Sequence, residues 1–292
     1  MYLTDTLTAV RRLIVNADDF GLTSGINQAV AELYDAHALT SATLMATGPE
    51  LNQAVAMSSP LPSLGVGCHI VLVDGTPVLP PAQIPSLIDN SAQNKPAFRT
   101  KLSTFVTDLL RGRIAESEIE AETAAQIRKL QHSGVHVTHL DTHKHTHTFP
   151  RVLRPLLRAA SICGVKAIRN PFEPNWSLNA TASAGHVRRM QVRLLRSQSA
   201  TFQQEIAGAG LITTDGAIGV LATGTLDTAT IRDLLAAMPD GTWELVTHPG
   251  YNDAALQQQH TRLLASREVE RKALLETIPK ANIDLIHFGQ IQ

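Results

Sequence analysis

The sequence is short of the residues that several function classes require. Its 292 residues hold two cysteines, and Cys68 and Cys163 stand far apart without a C-x-x-C pair. A disulfide framework and a thiolate zinc site therefore lack support, and both are expected to be reduced core thiols. Aromatic residues make up only 4% of the chain, which leaves few rings for a module that binds sugars by stacking on pyranose faces. Charged residues reach 17%, where roughly 25% is usual. The 25 Lys+Arg and 26 Asp+Glu leave a formal charge of -1, so no basic surface marks a nucleic-acid partner and no polybasic tract marks a membrane anchor. No segment reaches about 18 uninterrupted apolar residues, and Met1 to Val10 lacks the basic start and apolar run of a leader. A soluble, cytoplasmic protein without a transmembrane segment is expected. There is no G-x-x-x-x-G-K-[ST], no G-x-G-x-x-G and no G-x-S-x-G, so nucleotide-driven and serine-nucleophile chemistries lose ground.

Against these shortages stand 12 histidines, half of them in one stretch: His132, His136, His139, His143, His145 and His147. The 43% apolar content is enough for a large core, and the apolar residues are arranged in alternation. Strand-type runs at 12–17, 40–46, 64–70, 135–140, 165–169, 217–221, 244–247 and 283–287 are separated by helical patterns at 24–37, 50–58, 102–110, 116–133, 151–162, 227–238 and 256–278. Gly134 and Gly164 are placed to cap two of those helices. Alternation of this kind predicts an α/β fold. Over one domain of this length, 1–292, it predicts a distorted (β/α) barrel of about seven strands. Two stretches break the rhythm and are expected to be inserted loops, at about 74–100, where five prolines forbid regular structure, and at about 171–199, which turns from loop-like to arginine-rich and has a solvated helix as its other reading.

The chemistry-bearing residues fall where predicted strands end, the catalytic face of such a barrel. Asn16-Ala17-Asp18-Asp19-Phe20-Gly21 follows the first strand, and two adjacent buried carboxylates call for a metal or a shared proton; one Asp capping the next helix is the plainer alternative. His69 ends the third strand beside Gly65 and Gly67, although a lone histidine there is more often a core residue. In His139-Leu140-Asp141-Thr142-His143-Lys144-His145-Thr146-His147, a continuous strand at about 3.3 Å per residue would spread the imidazoles over more than about 25 Å. One ion cannot reach them all, so the strand must end near Asp141 and the chain turn. His248, in Thr247-His248-Pro249-Gly250, suits an acid or base, and Arg169 supplies a fixed cation. One or two Asp with two or three His suit Zn²⁺, Mn²⁺, Fe²⁺ or Co²⁺, and a carboxylate-rich variant would accept Mg²⁺.

Taken together, Asp18-Asp19-Phe20-Gly21, Gly67-Cys68-His69, Asp141-Thr142-His143-Lys144-His145-Thr146-His147 and His248-Pro249-Gly250 resemble the YdjC-like family of carbohydrate deacetylases. The resemblance implies a distorted barrel, one divalent metal ion (Mg²⁺ or Zn²⁺) and removal of an N-acetyl group from an amino sugar. Residue by residue it implies Asp19, His69 and His143 as metal ligands, Asp18 as general base and His248 as general acid. Arg169, Asp141, His145 and His147 are left to bind substrate or support the ligands. The stretches at 71–81 and 169–174 look more like the hopanoid-biosynthesis-associated branch than the chitooligosaccharide branch. That branch implies an N-acetylglucosaminyl hopanoid substrate; transient membrane-surface contact and a homodimer are separate expectations for its partners. Lys144 and Cys68 depart from the commoner pattern, which usually has His and Leu or Met there. Three other readings share the residues: a chitooligosaccharide deacetylase, a metal-dependent phosphoesterase on the same barrel, and a metal- or sugar-binding module without catalysis.

Overall fold

The structure, a computed structural model, describes residues 10–89, 96–182 and 185–291. Part of each expected insertion, 90–95 and 183–184, and most of the segment read for a leader lie outside the described residues. The strands are β1 (Arg11–Phe20), β2 (Ser41–Leu44), β3 (Gly65–Ile70), β4 (His139–Thr142), β5 (Ala167–Ile168), β6 (Gly216–Ile218), β7 (Gly241–Thr247) and β8 (Asp284–Leu285). They form one parallel sheet in the order β5-β4-β3-β2-β1-β7-β6, with β8 paired to the start of β1. A single parallel bridge, Ala167↔Ile212, runs from β5 toward the segment entering β6, so the sheet curls as a distorted (β/α) barrel. Every strand therefore points its C-terminal end to the same side.

Helices cover the outside: α1 (Ser24–Asp35), α2 (Leu51–Ser58), α3 (Leu102–Leu110), α4 (Glu116–His132), α5 (Pro150–Cys163), α6 (Asn175–Ala180), α7 (His186–Arg196), α8 (Ser199–Gly208), α9 (Thr228–Ala237), α10 (Ala254–Gln257) and α11 (Ala265–Thr277). α1 begins where Thr23 Oγ1 accepts the backbone N–H of Ile26, and its Ile26, Ala29, Val30 and Leu33 stripe is buried against the sheet. The capping glycines behave as expected, with Gly134 at φ 86° and Gly164 at φ 73°.

Three expectations are corrected. The helix expected over 256–278 is two, α10 and α11, separated by a loop in which Leu263 N–H is taken by Thr261 Oγ1 and His260 Nδ1 lies 3.2 Å from Asp74; tertiary contacts override the helical pattern. The strand expected at 135–140 pairs only from His139 and runs on to Thr142. The loop expected at 171–199 gives way to the other reading of that stretch, a helix, in α6 and α7, and α8, which continues it, carries no strong periodic signal. Within the other insertion Ile88 and Phe98 form an antiparallel bridge. Cys68 is buried and Cys163 half-buried, both free.

Candidate active site

β1 is fully buried from Leu13 onward, and a regular strand would send Asp18 and Asp19 to opposite faces. The pairing with β2 shifts register between Ala17 and Phe20, and Asp19 takes the left-handed conformation, φ 64°. This irregularity brings both adjacent carboxylates to the mouth, the use to which bulges beside functional sites are put. β3 ends by presenting His69, whose neighbour on β4 in register is Asp141. Beyond β4 the chain turns sharply through Lys144 and His145, at φ 57° and 51°, which resolves the problem of reach: His143 points inward while the later imidazoles leave the line of the strand. Gly67 leaves the space that the His139 ring fills, since a Cβ there would sit 2.4 Å from His139 Cε1. His139 itself stacks on Phe288 with ring centroids 3.8 Å apart and is a core residue.

Two clusters of atoms result, side by side. In the first, Asp19 Oδ1 lies 3.6 Å from His69 Nε2 and 3.3 Å from His143 Nδ1, and the two imidazole nitrogens are 3.3 Å apart. Asp19 Oδ1 is buried with no hydrogen-bond partner. His69 Nδ1 is 2.8 Å from Asp141 Oδ1, which fixes the ring with Nε2 toward Asp19, the carboxylate–imidazole arrangement that orients metal ligands. Burial alone would lower the His69 pKa, but Asp141, then Asp18 and Asp19, outweigh it and push the ring up to about 9. A site that holds a proton so tightly is one that is short of positive charge, and an Asp–His–His donor set meeting at one point fits a divalent ion.

In the second cluster the buried Arg169 faces three carboxylates. Its N–H groups reach Asp18 at 2.6 and 2.9 Å, Asp141 at 2.5 Å and Glu244 at 2.6 and 2.8 Å. Burial pushes the Asp18 carboxyl up, yet Arg169, helped by His69, holds it well below the usual carboxylate range. Glu244 goes the other way, pushed up to about 7 by burial against the pull of Arg169. Asp18, His69 and Asp141 also converge, but the guanidinium already occupies the space between the two carboxylates. A second metal, which phosphoesterase sites often use, would have to displace it.

His248 follows β7 and brings Nε2 to 3.7 Å from Asp18 Oδ2. Burial lowers its pKa to about 4, with Asp18 and Asp19 opposing. Its backbone N–H is held by Glu270 at 2.6 Å.

The YdjC-like protein profile matches residues 12–283. The chain belongs to the YdjC-like family. Among its relatives, a carbohydrate deacetylase of Thermoanaerobacter pseudethanolicus is 29% identical over 91% of this chain and 92% of its own. A chitooligosaccharide deacetylase of Salmonella typhimurium is 36% identical over 53% of this chain and 58% of its own. In fold, a solved structure from Enterococcus faecalis V583, of a protein named for cellobiose-phosphate cleavage, superposes with a TM-score of 0.75 at 24% identity, covering 96% of this chain and 98% of that one.

In this YdjC-like chain the structure thus brings together Asp18, Asp19, His69, Asp141, His143, Arg169 and His248. It does not bring His145 or His147 to the converging ligand atoms. His147 Nδ1 is bound to Thr142 Oγ1 at 2.6 Å, which holds the turn after β4, and burial depresses both imidazoles. Three charged residues of the site were not singled out in the sequence: Glu244, Arg267 and Glu270. Arg267, buried on α11, meets Asp19 Oδ2 at 2.5 Å and so turns Oδ1 toward the two histidines. The available signal was Glu244 within Trp243-Glu244-Leu245-Val246, since an inner strand does not bury a lone carboxylate without a cation.

Proposed function

We propose that this chain is a metal-dependent hydrolase that removes the N-acetyl group from an amino sugar. The observation that carries the reading is the meeting of Asp19 Oδ1, His69 Nε2 and His143 Nδ1 at one point, with Asp18 and His248 beside it. A divalent ion held by those three residues, Mg²⁺ or Zn²⁺, would supply Lewis acidity toward the amide carbonyl and the attacking water. Asp19 is aimed for this by Arg267, and His69 by Asp141. Asp18, kept ionised by Arg169, accepts the proton of the water, and His248 Nε2, on its far side, passes a proton to the departing amine. Because His248 is neutral well above pH 4, the Asp18–His248 pair starts empty, gains one proton from the water and returns it to the amine.

That order sets the pH dependence. With metal saturating, kcat/KM is expected to climb as pH rises through the His248 pKa of about 4 and then level off. A profile that declines over that interval would mean that His248 has to be charged at the outset. Metal content gives a second check: His69→Ala and His143→Ala should each reduce bound metal, because each removes one of the three donor atoms, and chelation should silence the wild type until a divalent ion is restored. Unchanged metal stoichiometry in both variants would remove the site.

For the substrate we favour an N-acetylglucosaminyl hopanoid, on the likeness of residues 71–81 and 169–174 to the hopanoid-associated branch; the named activities of the relatives support the acetylated sugar. Acetate release from that glycolipid and from diacetylchitobiose, together with elemental analysis, is the test. Acetate from the second alone would place the chain with chitooligosaccharide deacetylases, and none from either, with metal bound, would favour the phosphoesterase.

A further inference from the structure

The chain between Glu173 and Glu205 holds four arginines, Arg188, Arg189, Arg193 and Arg196, and no acidic residue. All four lie on α7. Val187, Met190 and Leu194, spaced i, i+3 and i+7, form one stripe along that helix. They are 73%, 72% and 75% exposed, among the most exposed large apolar side chains of the described residues. The opposite side of α7 faces the body of the protein: Arg188 donates to Val220 O at 2.9 Å, and Arg189 donates to Leu178 O and to Thr181 O. The stripe is therefore held outward by hydrogen bonds made behind it.

The helix also has a defined place. Val220 follows β6, and Arg262, which lines a groove with Arg188, Val192 and Leu195, lies in the loop between α10 and α11. Both belong to the side of the sheet where the strands end, so α7 stands at the rim of the candidate active site.

We propose that α7 is an interfacial helix that seats this rim on an anionic lipid bilayer. Its aliphatic stripe enters the boundary between headgroups and acyl chains, and Arg193 at the edge of the stripe meets the headgroup phosphates. A second copy of the chain fits the same face poorly. A stable dimer buries on the order of 800 Å² per partner, far more than three side chains offer, and a two-fold contact would set one arginine-rich helix against another. The inference does not depend on the deacetylase reading, because binding is measured without turnover.

The test is co-sedimentation of the full chain with vesicles of phosphatidylglycerol and phosphatidylcholine, and with vesicles of phosphatidylcholine alone. The wild type should sediment with the anionic vesicles, be released by high salt, and stay in solution with the neutral ones. V187S/M190Q/L194Q together should weaken binding about tenfold or more, and R193Q about fivefold. Both should keep the wild-type circular dichroism and the wild-type metal content. A wild type that ignores anionic vesicles overturns the proposal, as does a triple variant that binds them equally well. A wild-type dimer that the triple variant dissolves, with no vesicle binding, would assign the stripe to a second copy instead.

Discussion

Asp18→Asn should abolish most turnover, by about 10²- to 10⁴-fold in kcat, while leaving the fold and the metal content close to wild type. The separation follows from what surrounds the side chain. Asp18 is buried, but it is one of three carboxylates on Arg169, and the other two still compensate the guanidinium when it is neutralised. The amide oxygen can go on accepting from Arg169 and from Asn16 Nδ2, which now lies 2.9 Å from Oδ1. None of the three converging donor atoms of Asp19, His69 and His143 is altered. What disappears is an ionised group that faces His248 and lies beside the donor atoms without being one of them. If Asp18 and His248 handle the same proton, their losses will not add: D18N combined with His248→Ala should be little worse than the slower single variant. Full additivity would split the pair into independent roles, and a D18N enzyme of wild-type rate would remove the base altogether.

Much of this was legible in the sequence because the chemistry sits at strand ends, and strand ends are where short apolar runs stop. Asp18, Asp19, His69, Arg169 and His248 could each be placed that way, and the fold class with them. The parts that escaped are those in which a residue faces against its local pattern. The shift in β1 that sends two adjacent carboxylates to one mouth is a tertiary choice between β1 and β2. The left-handed turn at Lys144 and His145 is set by neither glycine nor asparagine. Arg267 and Glu270 looked like the polar side of an amphipathic helix, and only folding shows that this side faces Asp19 and His248. The expected long helix failed for the same reason: within its break at 258–264, His260 meets Asp74, a contact that no local pattern encodes.

Arg169→Leu should be the most destabilising substitution in the site, costing about 3–5 kcal/mol and roughly 6–10 °C in Tm. Leucine fills much of the volume, so the cost is electrostatic: Asp18, Asp141 and Glu244 are left buried without a cation. The effect should depend on pH with a definite sign. In the wild type Asp18 is held below its ordinary pKa, so it stabilises the fold above about pH 4 and stops doing so as pH falls. Without Arg169, burial raises the folded-state pKa of Asp18 above the unfolded value. Its contribution is then intact in acid and is lost as pH rises through the raised pKa. The Tm deficit should accordingly be small near pH 4 and widen toward pH 8. Arg169→Lys keeps one charge but cannot reach three carboxylates at once with a single ammonium, and it should fall between the two. Glu244→Gln should cost little at neutral pH and below, because Glu244, pushed up to about 7, already carries much of a proton there. Matching melting curves for R169L and wild type across that pH series would mean that the guanidinium is not what holds the three carboxylates in place.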